Sequence, residues 1–122
     1  MDNRAIMSEF ADIFYRQRDV RTAFERFVAS DYIQHNPGIA DGREVAIAAL
    51  EPKFGAPGTR FDVKRILVDG EFAMIHVHAR PAPEARGAAV ADIFRLKGGK
   101  IVEHWDVLQP FPEESANAHP MF

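Results

Sequence analysis

The sequence has no cysteine. This excludes disulfide frameworks, thiolate nucleophiles and zinc–thiolate centres. It also lacks an excess of charge of one sign: 18 acidic residues stand against 15 basic ones, a net charge of −3. A nucleic-acid partner is therefore not expected, because such partners call for a basic face. Long apolar runs are missing too. The longest, Val45 to Leu50, is cut off by Glu51-Pro52, far short of the roughly 18 residues of a membrane span. No membrane partner is expected. The opening Met1-Asp2-Asn3-Arg4 leads into a mixed helical pattern and not into the core of a signal peptide, which sets the expectation of a cytoplasmic protein. No phosphate-cradling glycine loop, dinucleotide fingerprint or Ser-His-Asp order is present.

What is present suits one globular domain. The 122 residues are 47% apolar and 27% charged, ordinary values for a folded chain. A domain of this length buries roughly two-thirds of its unfolded surface, enough for a core without staples. A single domain over residues 1–122 is expected, with an irregular tail from about 110 to 122.

Ile6, Phe10, Ile13 and Phe14 recur at helical spacing, which predicts a helix from about Asn3 to Gln17 capped by Asp2 or Asn3. Val20, Phe24, Phe27 and Val28 predict a second helix after Asp19, ending near Ser30. Asn36-Pro37-Gly38 and Asp41-Gly42 are turn signals, and a third helix starts near Arg43 and ends by Gly55 to Gly58. The second half reads as four strands: Phe61–Val68, Phe72–Arg80, Ala88–Lys97 and Lys100–Gln109. Asp69-Gly70 and Gly98-Gly99 supply two-residue hairpin turns. Helices followed by hairpin-linked strands make an α+β fold with an antiparallel sheet.

Pairing across those turns assigns faces. With Gly98-Gly99 as the turn, Asp92 pairs with Trp105, and His104 and Asp106 point to the opposite face. With Asp69-Gly70 as the turn, His76 and His78 share a face with Phe61 and Val63. Both faces are then substantially apolar, so helices cover one face and a second subunit is expected on the other, giving a homodimer through the outer sheet face. A bulge would invert part of this assignment.

Asp92 is the first candidate for chemistry. A carboxyl on an apolar face is costly unless protonated, paired or hydrogen-bonded, and burial raises its pKa toward the range of a general acid or base. The competing reading is a structural carboxylate paired with the Trp105 N–H, a histidine or a basic side chain. His76 and His78 allow pocket lining, metal ligation or a satisfied core role. Their His-x-His spacing resembles that of a cupin, but the second cupin motif has no counterpart here. His35 and Asn36, beside Tyr32, are either turn chemistry or a polar cluster at a cavity mouth. His104 and Asp106 read as a subunit-interface ion pair. Lys53, Lys64 and Arg65 read as solvated surface, while Phe14, Phe27 and Phe94 are candidate cavity walls.

Three segments carry a family resemblance: Tyr32-Ile33-Gln34-His35-Asn36-Pro37, Asp92-Ile93-Phe94-Arg95, and Gly99 to Pro110 with its Glu103-His104-Trp105-Asp106 centre. They resemble the SnoaL-like polyketide cyclases of the nuclear-transport-factor-two-like superfamily, and within them a branch of small bacterial proteins assigned to aldol condensation. The tail Pro112-Glu113-Glu114-Ser115-Ala116-Asn117, ending in Met121-Phe122, also fits that branch. The resemblance implies a cone-shaped α+β barrel, in which a curved sheet wraps the N-terminal helices around an apolar cavity. It implies no metal and no organic cofactor, a small apolar or carbonyl-containing ligand, and dimers through the outer sheet face. It makes Asp92 the acid/base; the chemistry of an enolate then calls for hydrogen-bond donors, for which His35 and His78, with His76 as a further candidate, are expected, and Tyr32, Asn36, Phe14, Phe94 and Trp105 are expected around the ligand. The reaction expected is an aldol-type cyclisation, isomerisation or related step. The alternative on the same fold is a non-catalytic ligand-binding or dimerisation module.

Overall fold

A computed structural model describes residues Met1–Phe122. The chain forms α1 (Asn3–Ala11), a π-helical turn (Asp12–Arg16), α2 (Val20–Phe27), β1 (Val28–Gln34), α3 (Arg43–Phe54), β2 (Arg60–Asp69), β3 (Phe72–Arg80), β4 (Ala88–Lys97) and β5 (Lys100–Pro110). The class is α+β, as expected. The five strands form one open sheet in the order β1-β5-β4-β3-β2, and the helices pack on one face of it. No helix is long and apolar enough to cross a membrane.

Asp2 caps α1 by accepting the Ala5 N–H at 2.8 Å, which satisfies one of the orphan donors of the first turn. The helix does not continue uniformly to Gln17. From Asp12 it widens into a π turn, with the Gln17 N–H bonded to the Asp12 carbonyl at 2.9 Å. A wider turn rotates less per residue, so three successive side chains, Ile13, Phe14 and Tyr15, all point into the core. Arg18 ends the segment in the left-handed region (φ 57°), and Asp19 caps α2 through the Thr22 N–H at 3.1 Å.

The second helix stops at Phe27, not near Ser30, and the chain turns directly into β1. β1 pairs parallel with β5, so the sheet is mixed where an antiparallel one was expected. The strand escapes a periodicity reading because its buried residues, Val28 and Tyr32, lie four apart and extend the helical spacing of Phe24. The cause is an irregularity in the β1–β5 register between Val28 and Ile33.

The second hairpin turns on Gly98-Gly99, as expected, with Lys97 opposite Lys100. Both glycines have positive φ (60° and 79°), which is what a type I′ turn requires. The first hairpin turns one residue later than expected. Asp69 pairs with Phe72, which places Gly70 (φ 60°) first in the turn and Glu71 second. Only glycine takes that first position without strain.

Each hairpin carries a register shift that the sequence did not signal. In β5 it falls between the Leu96–Ile101 and Arg95–Glu103 pairs, so Val102 is the extra residue. Beyond it Asp92 pairs with Asp106, Ile93 with Trp105 and Phe94 with His104. The faces assigned to β5 therefore invert: His104 and Asp106 turn inward with Asp92, and Trp105 turns outward. In β2 the extra residue is Lys64, between the Val63–Val77 and Arg65–His76 pairs. Phe61 and Val63 thus share the inner face with Val77 and Ala79, not with His76 and His78.

Candidate active site

The inner face of β4 and β5 meets the π turn and α2 around a cavity of about 230 Å³. Its interior is walled by rings, among them Phe10, Phe14, Phe24, Phe54 and Phe94. One wall is polar and is built from Asp92, His104, Asp106, Gln34 and Asn36.

Asp92 is buried, and both of its oxygens are engaged. Oδ2 accepts the Tyr15 hydroxyl at 2.5 Å, the length of an O–H···O⁻ bond. Oδ1 lies 2.8 Å from Nε2 of His104. The other ring nitrogen of His104, Nδ1, lies 2.7 Å from Oε1 of Gln34. The Gln34 amide orientation is fixed by a backbone donor, since Oε1 also accepts the Asn36 N–H at 2.9 Å. Nδ1 must therefore carry a hydrogen and donate it. The contact between Nε2 and Oδ1 then holds one further proton, which belongs to the Asp92–His104 pair. Burial first, and the negative charge of Asp92 second, push the Tyr15 hydroxyl well above its ordinary value, so Tyr15 remains a donor.

Two further groups complete the wall. Asn36 donates from Nδ2 to Oδ2 of Asp106 at 2.8 Å, and its own Oδ1 accepts the Gly38 N–H at 2.8 Å. Gln34 Nε2 donates to the Tyr32 hydroxyl oxygen at 3.0 Å, which leaves the Tyr32 proton free to point at a ligand. Burial pushes the Tyr32 hydroxyl up to about 12, so it too is a donor and not a base.

Asp92, His104 and Asp106 also bring one ligand atom each to within 4.8 Å of one another, and these are the residues that could hold a metal ion. Each already has one hydrogen-bond partner outside the trio: Tyr15 on Asp92, Gln34 on His104 and Asn36 on Asp106.

Of the residues singled out from the sequence, Asp92, Tyr32, Asn36, Phe14 and Phe94 line the cavity. His35, His76, His78 and Trp105 do not, and Phe27 is packed in the core away from it. His35 lies on the outer side, stacked on Trp105 (4.8 Å, 7°) and bonded to Glu103 at 2.7 Å. His76 and His78 follow the outward alternation of β3, because Ile75, Val77 and Ala79 take the inward positions. His78 donates to the Arg86 carbonyl at 2.7 Å and stacks on Phe111 (4.5 Å, 9°). The tail thus docks on its own sheet, with Phe122 against His76 and His78. The residues missed were Tyr15, Gln34, His104 and Asp106. The mid-strand carboxyl at Asp92 and the two motifs holding Gln34, His104 and Asp106 pointed toward them, but the bulge at Val102 hid which face His104 and Asp106 take.

His76 yields a pH prediction. Its Nδ1 accepts from the Arg65 guanidinium. Burial, and then the Arg65 charge, hold its imidazole below the ordinary value. The unfolded chain therefore takes up this proton before the folded one as pH falls below about 6.5. Acid favours unfolding through this group. The thermal midpoint should fall across that window, and the fall should be shallower in His76→Gln. Parallel curves for the two proteins would refute the assignment.

Comparison with known proteins agrees with this fold. No protein of curated function matches the chain in sequence. Among solved structures, an NTF2-like protein of unknown function from Mesorhizobium loti superposes with a TM-score of 0.74 at 23% identity, covering 89% of this chain and 96% of that one. A candidate polyketide cyclase from Acidithiobacillus ferrooxidans gives 0.66 at 16% identity, covering 88% and 91%. A candidate isomerase of the SnoaL-like family from Agrobacterium tumefaciens gives 0.67 at 18% identity, covering 86% and 95%. These likenesses establish the fold. The SnoaL-like domain family itself matches residues 7–104, which include the π turn, Asp92 and His104. The chain belongs to the SnoaL-like family.

Proposed function

We propose that the protein is a cofactor-independent acid–base catalyst acting on a small carbonyl compound, in an aldol-type cyclisation, isomerisation or related reaction. The observation that carries this reading is the 2.8 Å contact between Asp92 Oδ1 and His104 Nε2 on the wall of an apolar cavity. The Asp92 carboxylate takes a proton from the carbon next to the ligand carbonyl, and the electron pair moves onto the carbonyl oxygen. The free Tyr32 proton is the donor available to that oxygen. In a cyclisation the enolate carbon attacks a second carbonyl, and the proton on Asp92 passes to the new alkoxide. In an isomerisation the proton returns to a different carbon. Neither route needs an electron acceptor. The structural neighbours described as a candidate polyketide cyclase and as a candidate isomerase of the SnoaL-like family support the same class of reaction.

The test is solvent-deuterium exchange next to the carbonyl in a panel of small ketones and diketones, followed by NMR. Exchange above the buffer rate is expected for at least one member. Binding without any exchange would replace the catalyst with a ligand-binding module.

We further propose that two copies pair through the outer sheet face, with a cytoplasmic location. Ile33, Leu67, Phe72 and Val107 are exposed on that face, and Phe72 lies near Trp105 (6.3 Å). Clustered exposed apolar side chains of this kind mark interaction surfaces. Light scattering should report a dimer for the native protein and a monomer for Val107→Asp. A native monomer would refute the pairing.

A further inference from the structure

We infer that the cavity takes a flat compound of one or two rings carrying an anionic group, and that Lys53 meets this group at the mouth. The inference rests on the cavity being a ligand site and narrows the class of ligand. Three independent features lead to it.

The first is size. The cavity measures about 230 Å³. An engineered cavity of roughly 150 Å³ holds one benzene. The available space is about one and a half times that, enough for a second fused ring but not for a body of three or four. A larger body would leave rings outside the mouth, at Gly38 and Leu108, while its carbonyl still had to reach Asp92.

The second is shape. Phe14, Phe54 and Phe61 form a continuous stack along one wall. Phe14 and Phe54 lie 4.5 Å apart at 28°, and Phe54 and Phe61 lie 4.2 Å apart at 26°. A near-parallel stack of rings beside an open space is extended most favourably by another flat ring.

The third is charge. Lys53 is the one lysine or arginine among the lining residues, and it is exposed at the rim next to Phe54. Its ammonium forms no ion pair, whereas Glu44 and Glu51 on the same helix are both engaged by Arg21. The polar wall carries Asp92, His104 and Asp106; with one proton shared between Asp92 and His104, it keeps the negative charge of Asp106, which repels an anion. The cavity is therefore negative on that wall and positive at the rim. A ligand with both a carbonyl and an anionic group is oriented with the carbonyl at Asp92 and the anion at Lys53.

Calorimetric titration near neutral pH tests this with benzoate, 2-naphthoate, anthracene-2-carboxylate and the neutral 2-naphthamide, on native protein, Lys53→Met and Lys53→Arg. The two-ring acid should bind more tightly than the three-ring acid. It should also bind about two- to fivefold more tightly than its amide, the range of one exposed ion pair. Lys53→Met should erase the preference for acid over amide while retaining the aliphatic stem, and Lys53→Arg should keep it. Equal or tighter binding of the three-ring acid overturns the inference. So does equal binding of acid and amide, a preference that survives Lys53→Met, or no binding by any probe. Binding is read here without turnover. A protein with this profile but no deuterium exchange would remove the proposed reaction and leave the ligand class standing. Exchange activity without the acid preference would do the reverse.

Discussion

Asp92→Asn is expected to lower deuterium exchange next to a ligand carbonyl by about 10²–10⁴-fold, the usual contribution of a positioned acid or base. Asparagine has the shape of the aspartate and keeps an oxygen for the Tyr15 hydroxyl, which lies 2.5 Å from Asp92 in the native protein. The fold should survive, as circular dichroism would show, and only the proton acceptor is lost. His104→Gln should fall by a comparable factor, because it removes the other half of the shared-proton contact at 2.8 Å. Groups that act as a unit are not additive. The double variant should therefore be no slower than about the worse single one. Native exchange in Asp92→Asn would take this carboxyl out of the chemistry. A double variant slowed by the product of the two factors would separate Asp92 from His104.

The largest effect on stability is expected at Gly87. Its φ is +74°, and an added Cβ would sit 1.9 Å from the Ala79 carbonyl oxygen and 3.1 Å from Arg80 Cα. Both obstacles are backbone at the end of β3, so no side chain can rotate out of the way. Gly87 also accepts the Phe111 N–H at 3.1 Å, tying the tail to the loop between β3 and β4. Gly87→Ala should cost about 3 kcal/mol or more, as left-handed strain and a backbone clash add. Gly70 is the control. It has φ +60° and nothing within 4 Å of the added Cβ, so Gly70→Ala should cost only the left-handed penalty of about 1–2 kcal/mol. Urea denaturation compares the two directly. Similar midpoints would mean that the loop yields and the clash is relieved.

The inner face of β3 shows how far pattern alone reaches. Ala73, Ile75, Val77 and Ala79 alternate inward with no irregularity against β4, and that alternation is legible as written. β5 is different. Glu103, Trp105 and Val107 form one frame, and His104, Asp106 and Leu108 form the other. Each frame mixes polar and apolar residues, so neither declares itself as the inner one. The choice rests on a single extra residue, Val102. Valine suits a strand, and a bulge without glycine leaves no compositional trace. The same holds for the π turn. Ile13-Phe14-Tyr15 reads as ordinary helix, and its widening becomes visible only when all three side chains are buried together.

Local chemistry in the chain determined the α+β class, the helix caps, the glycine turn at Gly98-Gly99 and the presence of a costly carboxyl at Asp92. These depend on backbone preferences and on the price of burying charge, both carried by each residue and its near neighbours. Tertiary structure alone decided which groups meet that carboxyl. Tyr15 and His104 lie 77 and 12 positions away from it in sequence, and a shift of one residue in strand register turns every following side chain to the other face.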